Sequence, residues 1–316
     1  MPSMQVNGVG RKRCRVKQLI RDVVRVGRFT PVASYQRFAY WCGALLLLSS
    51  AFHAVVFLAD SGSWEGPVSW RKPIVFGLSF GISVLTLAWI AGVLRVRRAT
   101  GWGVIGVLTV ASVGEVFLVS MQKWRGVPSH FNESTDFDAM VFSLMGMLVA
   151  LIAIMTVVIA IRSLASMDAP PSLAWSIRAG LVLMLVSQAV GVQMIIEEGN
   201  TFGAEGALKV PHAFTLHVVQ VLPALALLLL VADLTERRRL RIVGLGAIGY
   251  GALIASTLLQ AYGGRSPFDL DATSTVLAVV GIGLLAVCAI IALHAVMTRP
   301  PGAPTPEPQD EAPAAV

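Results

Sequence analysis

Charged residues, cysteines and catalytic motifs are all scarce in this sequence. Charged side chains make up 14% of the 316 residues, about half of their share in soluble globular domains. The three cysteines, Cys14, Cys42 and Cys288, lie far apart, which excludes a disulfide framework and a CxxC metal or redox motif. No nucleophile motif or phosphate-binding loop occurs. The stretch GLGAIG, Gly244 to Gly249, matches a dinucleotide-binding pattern, but it lies in an apolar run without the strand that this pattern requires.

Long apolar stretches dominate the remaining sequence. Hydrophobic residues make up 55% of the chain, and the mean hydropathy is +0.73. Apolar stretches of about 17 to 25 residues are long enough to cross the hydrocarbon core of a bilayer, and eight can be placed. The sequence therefore predicts an all-α membrane protein, with the lipid bilayer as its surroundings. The eight predicted spans are 39–59, 74–94, 102–121, 140–161, 180–196, 212–232, 242–262 and 273–297.

Basic residues are distributed unevenly between the connections. Nineteen of the 25 Lys and Arg residues lie on the side that holds both termini, and six lie on the other side. Because Lys and Arg are concentrated in cytoplasmic loops, we expect both termini in the cytoplasm and the chain in the bacterial plasma membrane. This bias also accounts for the net charge of +7, so we expect no nucleic-acid partner.

The spans and the segments around them define five regions. The first four predicted spans form one unit, 39–162, and the last four form a second, 180–298, with a cytoplasmic linker at 163–179. Residues 1–38 contain a basic amphipathic stretch, which we expect to lie on anionic lipids of the inner leaflet. Residues 299–316 are rich in proline and alanine, so we expect a disordered cytoplasmic tail.

The two units share a sequence pattern at a constant offset. KPIVFGL at 72–78 and VPHAFTL at 210–216 both contain P-x-x-F-x-L, 138 residues apart, and the same offset relates QKWRG at 122–126 to QAYGG at 260–264. Each unit has an even number of helices, so both have the same orientation and an axis along the membrane normal relates them. We therefore predict two parallel-repeat four-helix units.

Polar side chains inside the spans gather in the outer half of the membrane. His53, Glu115 and His217 each lie roughly 9 to 12 Å below the outer boundary at about 1.5 Å per helical residue. Ionisable groups in hydrocarbon cost about 2.5 kcal/mol or more, and they face a cavity or a partner. This outer cluster predicts a functional site. Its candidate residues are His53, Glu115, His130, His212, His217 and Gln220.

A bound cofactor is the first interpretation of the outer cluster. Imidazoles bind haem, and with a carboxylate they bind transition metals. We therefore consider a redox membrane protein that holds haem b or a divalent transition metal, with His53, Glu115 and His217 as metal ligands. His212 and His217 are about 140° apart around a regular helix, so we expect them not to hold one metal together.

Two further functions fit the same residues. In a small-solute transporter the cluster lines the substrate cavity, Arg71 and Lys209 guide an anion, and the repeats rock against each other. In a non-catalytic accessory subunit the polar residues only join helices. Glu115 then pairs with a basic residue above it, and Gln122 and Gln260 bond across the two halves. Such a subunit would bind a membrane-protein partner or form a homo-oligomer.

Two resemblances add to these interpretations. WRKPIVFGLSF, QKWRGVPSHFN and LKVPHAFTLH resemble motifs of an uncharacterised family of bacterial multi-pass membrane proteins that is common in actinomycetes, which implies no activity. The paired four-helix units resemble the topology of haem A synthase, whose units each place two histidines at the outer ends of their even-numbered helices. Here only His130 and a histidine of the sixth span approximate such positions, so this resemblance implies no complete bis-histidine site in either half.

Overall fold

The chain folds into a bundle of long helices. The computed structural model describes residues 8–60, 62–165, 167–269 and 271–299, with side chains from residue 18 onward. Within these ranges eight helices are long and apolar enough to cross a membrane, which confirms the predicted multi-pass all-α architecture. In chain order the helices are α1 Gly8–Gly27, α2 Ser34–Asp60, α3 Arg71–Val93, α4 Arg98–Trp124, α5 Asp136–Ser163, α6 Pro171–Ile196, α7 Lys209–Val231, α8 Glu236–Tyr262 and α9 Ala272–Thr298.

Local capping chemistry sets several helix ends beyond the predicted spans. Helix α6 begins at Pro171, nine residues before the predicted start, because proline fits the first helical turn. It thus takes up part of the predicted 163–179 linker. The Thr135 hydroxyl accepts a hydrogen bond from the Asp138 N–H at the start of α5, and a carboxylate caps α9 in the same way. Capped helices extend beyond the apolar core into the membrane interface. Their ends there are polar, so a search for apolar stretches does not detect them.

Neighbouring helices pack in chain order within each half of the molecule. Helices α2 to α5 form one series and α6 to α9 a second, while α5 contacts α6 and α3 contacts α7. Glycines permit close approach where helices cross. A Cβ atom on Gly81 would lie 3.1 Å from the Gly43 carbonyl oxygen, between α2 and α3, and one on Gly281 would lie 2.7 Å from the Gly249 carbonyl oxygen. The GLGAIG stretch thus lies within α8 and serves helix packing.

The two ends of the bundle differ in character. Helix α1 packs against α7 at one end, where Arg299 pairs with Asp22 at 3.2 Å and the Trp89 indole donates to the Gly27 carbonyl. We call this the basic end. The far end carries the loop between α4 and α5 and a two-stranded hairpin, Thr201–Phe202 with Gly206–Ala207.

Asp168 connects three loops of the basic end through ion pairs and a hydrogen bond. Its carboxylate pairs with Arg95 at 2.8 Å and also with Arg28, and its backbone N–H donates to the Val93 carbonyl. The hydrogen bond from Arg95 is the main reason that the pKa of Asp168 lies below its ordinary value. The α5–α6 loop is thereby joined to the segments that follow α1 and α3.

Candidate functional site

The carboxyl group of Glu115 is fully buried in the far half of α4. Its side chain has no exposed surface, and neither carboxyl oxygen has a hydrogen-bond partner within the described residues. The nearest basic group is the His130 imidazole, whose Nε2 lies 3.8 Å from Oε1 of Glu115. That distance exceeds a hydrogen bond. An ionised carboxylate without a donor is costly inside a protein, and a proton on the carboxyl would remove that cost.

His130 connects Glu115 to the far end of the bundle. Lys72 Nζ donates to the Ser129 hydroxyl at 3.3 Å, and that hydroxyl lies 2.9 Å from His130 Nδ1. Lysine can only donate, so the Ser129 hydroxyl keeps its own hydrogen available for Nδ1. When Ser129 donates to Nδ1, the imidazole N–H lies at Nε2, which faces Glu115. Burial, and next the charge of Lys72, lower the pKa of His130 to about 4. In that tautomer the neutral imidazole is a donor that points at a buried carboxyl.

The two basic residues above Glu115, in and just after the last turn of α4, have other partners. Arg125 pairs with Asp138 of α5, and the Lys123 ammonium lies 4.2 Å from the ring centre of Trp70, a cation–π distance. The accessory-subunit interpretation paired Glu115 with such a residue. The structure places His130 beside it instead.

The two matched glutamines each bond within their own half. Gln122 donates to Asp138 at 2.9 Å, and Gln260 donates to the Pro267 carbonyl at 3.2 Å. The prediction that these side chains bond across the two halves is wrong. Gln122 reaches the first turn of α5 and Gln260 reaches the loop that follows α8, because both stand in the last turn of their helix, where these groups are the nearest available partners.

His53 is held by hydrogen bonds at both ring nitrogens. Its Nδ1–H donates to the Ser49 carbonyl at 2.8 Å, one turn earlier in α2. The Trp124 indole N–H donates to His53 Nε2 at 3.1 Å, and the Trp70 ring packs beside the imidazole. The Nε2 lone pair that would bind a metal is therefore occupied by Trp124.

The remaining candidates lie on α7. His212 stands in its first turn, as predicted, with Nδ1 at 3.0 Å from the Ser187 carbonyl of α6. His217 reaches across to α3, where its Nε2 lies 3.1 Å from the Ser79 hydroxyl. Gln220, one turn farther along, lies against His217, and its two buried amide atoms make no well-formed hydrogen bond in the described part of the chain. The α3–α7 contact between the two halves thus holds polar groups with unused bonding capacity.

The structure brings some predicted site residues together and separates others. Glu115 lies with His130, and His217 shares α7 with Gln220, whereas His53 and His212 are bonded to neighbours of their own. Within the described ranges, no three His, Cys, Asp or Glu side chains converge as metal ligands. The set His53, Glu115 and His217 is accordingly divided between three separate contacts.

Sequence reasoning missed the residues that link these groups. Lys72 and Ser129 extend the Glu115 site to the far end, and Ser79 is the partner of His217. Lys72 had a usable signal, since it directly precedes Pro73 at a helix start inside a recognised motif. Ser79 also had one, since it stands 138 residues before His217, at the spacing of the shared sequence patterns. Ser129 had none, because a serine in a loop is common.

Comparison with known proteins assigns no family. No protein-family model matches the chain, and no curated protein and no solved structure shows significant similarity to it. The helices alone therefore establish its class, a multi-pass membrane protein with eight candidate spanning helices.

Proposed function

We propose that this chain is a small-solute transporter of the bacterial plasma membrane in which Glu115 takes up and releases a proton through His130. One observation carries the proposal, namely a fully buried carboxyl to which the described residues offer no hydrogen-bond donor, beside an imidazole at 3.8 Å. Ionisable side chains inside membrane proteins are costly and mark substrate paths and proton relays. A residue that only joined helices would have its hydrogen bonds satisfied.

The far end faces outward in this proposal. The basic end carries α1 and most arginines of the connections, and basic loops remain in the cytoplasm. His130 then connects Glu115 to the outside through Ser129 and Lys72. The proton that reaches Glu115 comes from the outer solution.

A duplicated scaffold supplies the two moving halves. Helices α3 and α7 begin and end 138 residues apart, and so do α4 and α8. The turns that follow α4 and α8 also match: Val127 N–H donates to the Gln122 carbonyl and Arg265 N–H to the Gln260 carbonyl, both at 3.1 Å. These coincidences support two parallel units, which can rock against each other around a central site.

The polar groups between α3 and α7 form the proposed solute site. His217 and Ser79 bond to each other, and Gln220 lies against His217 without a well-formed hydrogen bond, whereas the buried Ser83 hydroxyl has no partner in the described residues. Such atoms cost free energy until a ligand satisfies them. A polar solute entering between the halves would do so.

The haem or metal interpretation is second to this proposal. It requires His53 to give up the hydrogen bond from Trp124, and it requires ligands from three separate contacts to converge. The transporter proposal needs neither rearrangement.

Proton uptake by reconstituted protein tests the proposal. Proteoliposomes with a pH-sensitive dye inside receive pulses of small organic acids, amino acids or sugars from outside. We expect at least one of these classes to drive acidification in the wild type and in Glu133→Gln, which changes an exposed acid of the same far-end loop. Glu115→Gln should abolish the signal. Equal signals from both variants, or none from the wild type, would reject the proposal.

A further inference from the structure

A cleft of about 500 Å³ opens at the basic end, away from the Glu115 site. It lies between the turn from α7 to α8 and the end of α9. Arg238 of α8 and His294 of α9 line this cleft together with Arg299. Asp233 is the one acidic residue in the lining, so the balance of charge favours an anion.

The two arginines of the cleft differ in how many hydrogen bonds and ion pairs they already make. Arg299 donates to Asp22 at 3.2 Å and to the Val231 carbonyl at 3.0 Å, so part of its capacity holds α1 in place. No hydrogen bond or ion pair of the Arg238 guanidinium exists within the described residues. A guanidinium binds phosphate through two parallel hydrogen bonds. Arg238 therefore has more hydrogen-bond donors available for a phosphate than Arg299 has.

Part of the cleft lining is apolar and continues onto the lipid-facing surface. Ile290 and Ile291 belong to the lining, and Ile290 is 65% exposed. Only 17% of the apolar window of α9 is buried inside the protein, so the helix presents its outer face to lipid. A ligand in this cleft meets a basic rim and an apolar wall at the depth where headgroups meet acyl chains.

We propose that this cleft binds the phosphate headgroup of an anionic phospholipid, with the acyl chains along Ile290. Arg238 binds the phosphate, and His294 and the Thr298 hydroxyl lie beside it. The bound lipid joins the start of α8 to the end of α9. This proposal is independent of the Glu115 site and of any transported solute.

Short-chain lipids provide the test on the full-length protein in detergent. The unfolding midpoint is measured during titration with dihexanoyl phosphatidylglycerol, dihexanoyl phosphatidylcholine or inorganic phosphate. We expect the anionic lipid to stabilise the wild type at lower concentration than the zwitterionic lipid. Arg238→Gln should raise the half-saturating concentration of the anionic lipid about fivefold, since a basic residue near a lipid surface contributes about 1 kcal/mol.

Matched variants separate this site from general charge attraction. Arg237→Gln removes an adjacent exposed charge that does not line the cleft, and it should leave the titration unchanged. His294→Gln probes the opposite wall if Arg238→Gln does not fold. Equal effects of Arg237→Gln and Arg238→Gln, or equal stabilisation by both lipids, would overturn the proposal. Stabilisation by inorganic phosphate at the same concentration, lost in Arg238→Gln, would identify a free anion as the source of the phosphate.

Discussion

Ser79 and His217 contact each other at 3.1 Å, and they stand 138 residues apart, the same spacing as between the two P-x-x-F-x-L patterns. A two-fold axis brings a residue into contact with its own counterpart only close to the axis. In the proposed repeat this pair therefore marks the axis, between α3 and α7. The two halves place different side chains, a serine and a histidine, at this matching position. The helices would then be duplicated, whereas the site residues would not be.

Removal of this contact should expose an energetic coupling between the halves. We expect Ser79→Ala and His217→Ala to be non-additive by about 0.5 to 1.7 kcal/mol, the range for hydrogen bonds between membrane helices. A double-mutant cycle on reversible unfolding in mixed detergent measures this coupling. Thr215→Ala serves as control because the Thr215 hydroxyl bonds within α7, to the Pro211 carbonyl. If the effects of the Ser79 and His217 variants are fully additive, the contact contributes no coupling free energy between the two halves.

Replacement of Glu115 should separate stability from function. We expect Glu115→Leu to raise the free energy of unfolding by about 1 to 3 kcal/mol, because it removes a buried polar group that has no partner, and to abolish solute-driven proton uptake. Leucine is also the residue at the matching position of the second half, Leu253. Thermal unfolding and the vesicle assay provide the two readouts. A destabilised but active Glu115→Leu protein would assign the carboxyl a structural role.

The eight spans could be predicted because a helix that crosses hydrocarbon requires an unbroken apolar run. Helix ends could not be predicted from hydropathy alone, since Pro171 starts α6 well before its apolar run. The site was predictable in depth only. Equal depth follows from the rise per residue, whereas the direction of each side chain around its helix depends on packing. His53 and Glu115 have similar predicted depths, but their side chains point to different partners. His53 contacts Trp124 and Glu115 faces His130.

The hydrogen bond from Trp124 to His53 should contribute to stability. Trp124→Phe keeps the aromatic packing with Trp70 but removes the indole N–H and leaves His53 Nε2 without its donor. We expect a loss of about 1 to 3 kcal/mol in the free energy of unfolding. Trp64→Phe is the control, since the Trp64 ring packs on Phe57 outside this contact. Equal effects of the two substitutions would mean that the indole donor is dispensable.

Absorption spectra distinguish the transporter from the cofactor interpretation. We expect the purified wild type to show no Soret band in oxidised or dithionite-reduced form, and elemental analysis to find no stoichiometric metal, because the Trp124 hydrogen bond occupies His53 Nε2. A Soret band or a bound metal that is lost in His53→Ala and His217→Ala would instead favour the redox protein.

Acid should destabilise the protein through His130 before it acts through Asp168. The pKa of His130 is lowered from 6.5 to about 4, mainly by burial, so between these values the unfolded chain binds the extra proton. The contribution of His130 to stability is therefore complete above about pH 6.5 and falls as the pH drops towards 4, by at most about 3 kcal/mol. Because the pKa of Asp168 is lowered, the contribution of Asp168 to stability is lost at still lower pH. Unfolding midpoints recorded across this window should fall more steeply in the wild type than in His130→Gln. Parallel curves for the two proteins would show that the imidazole is not buried as a neutral base.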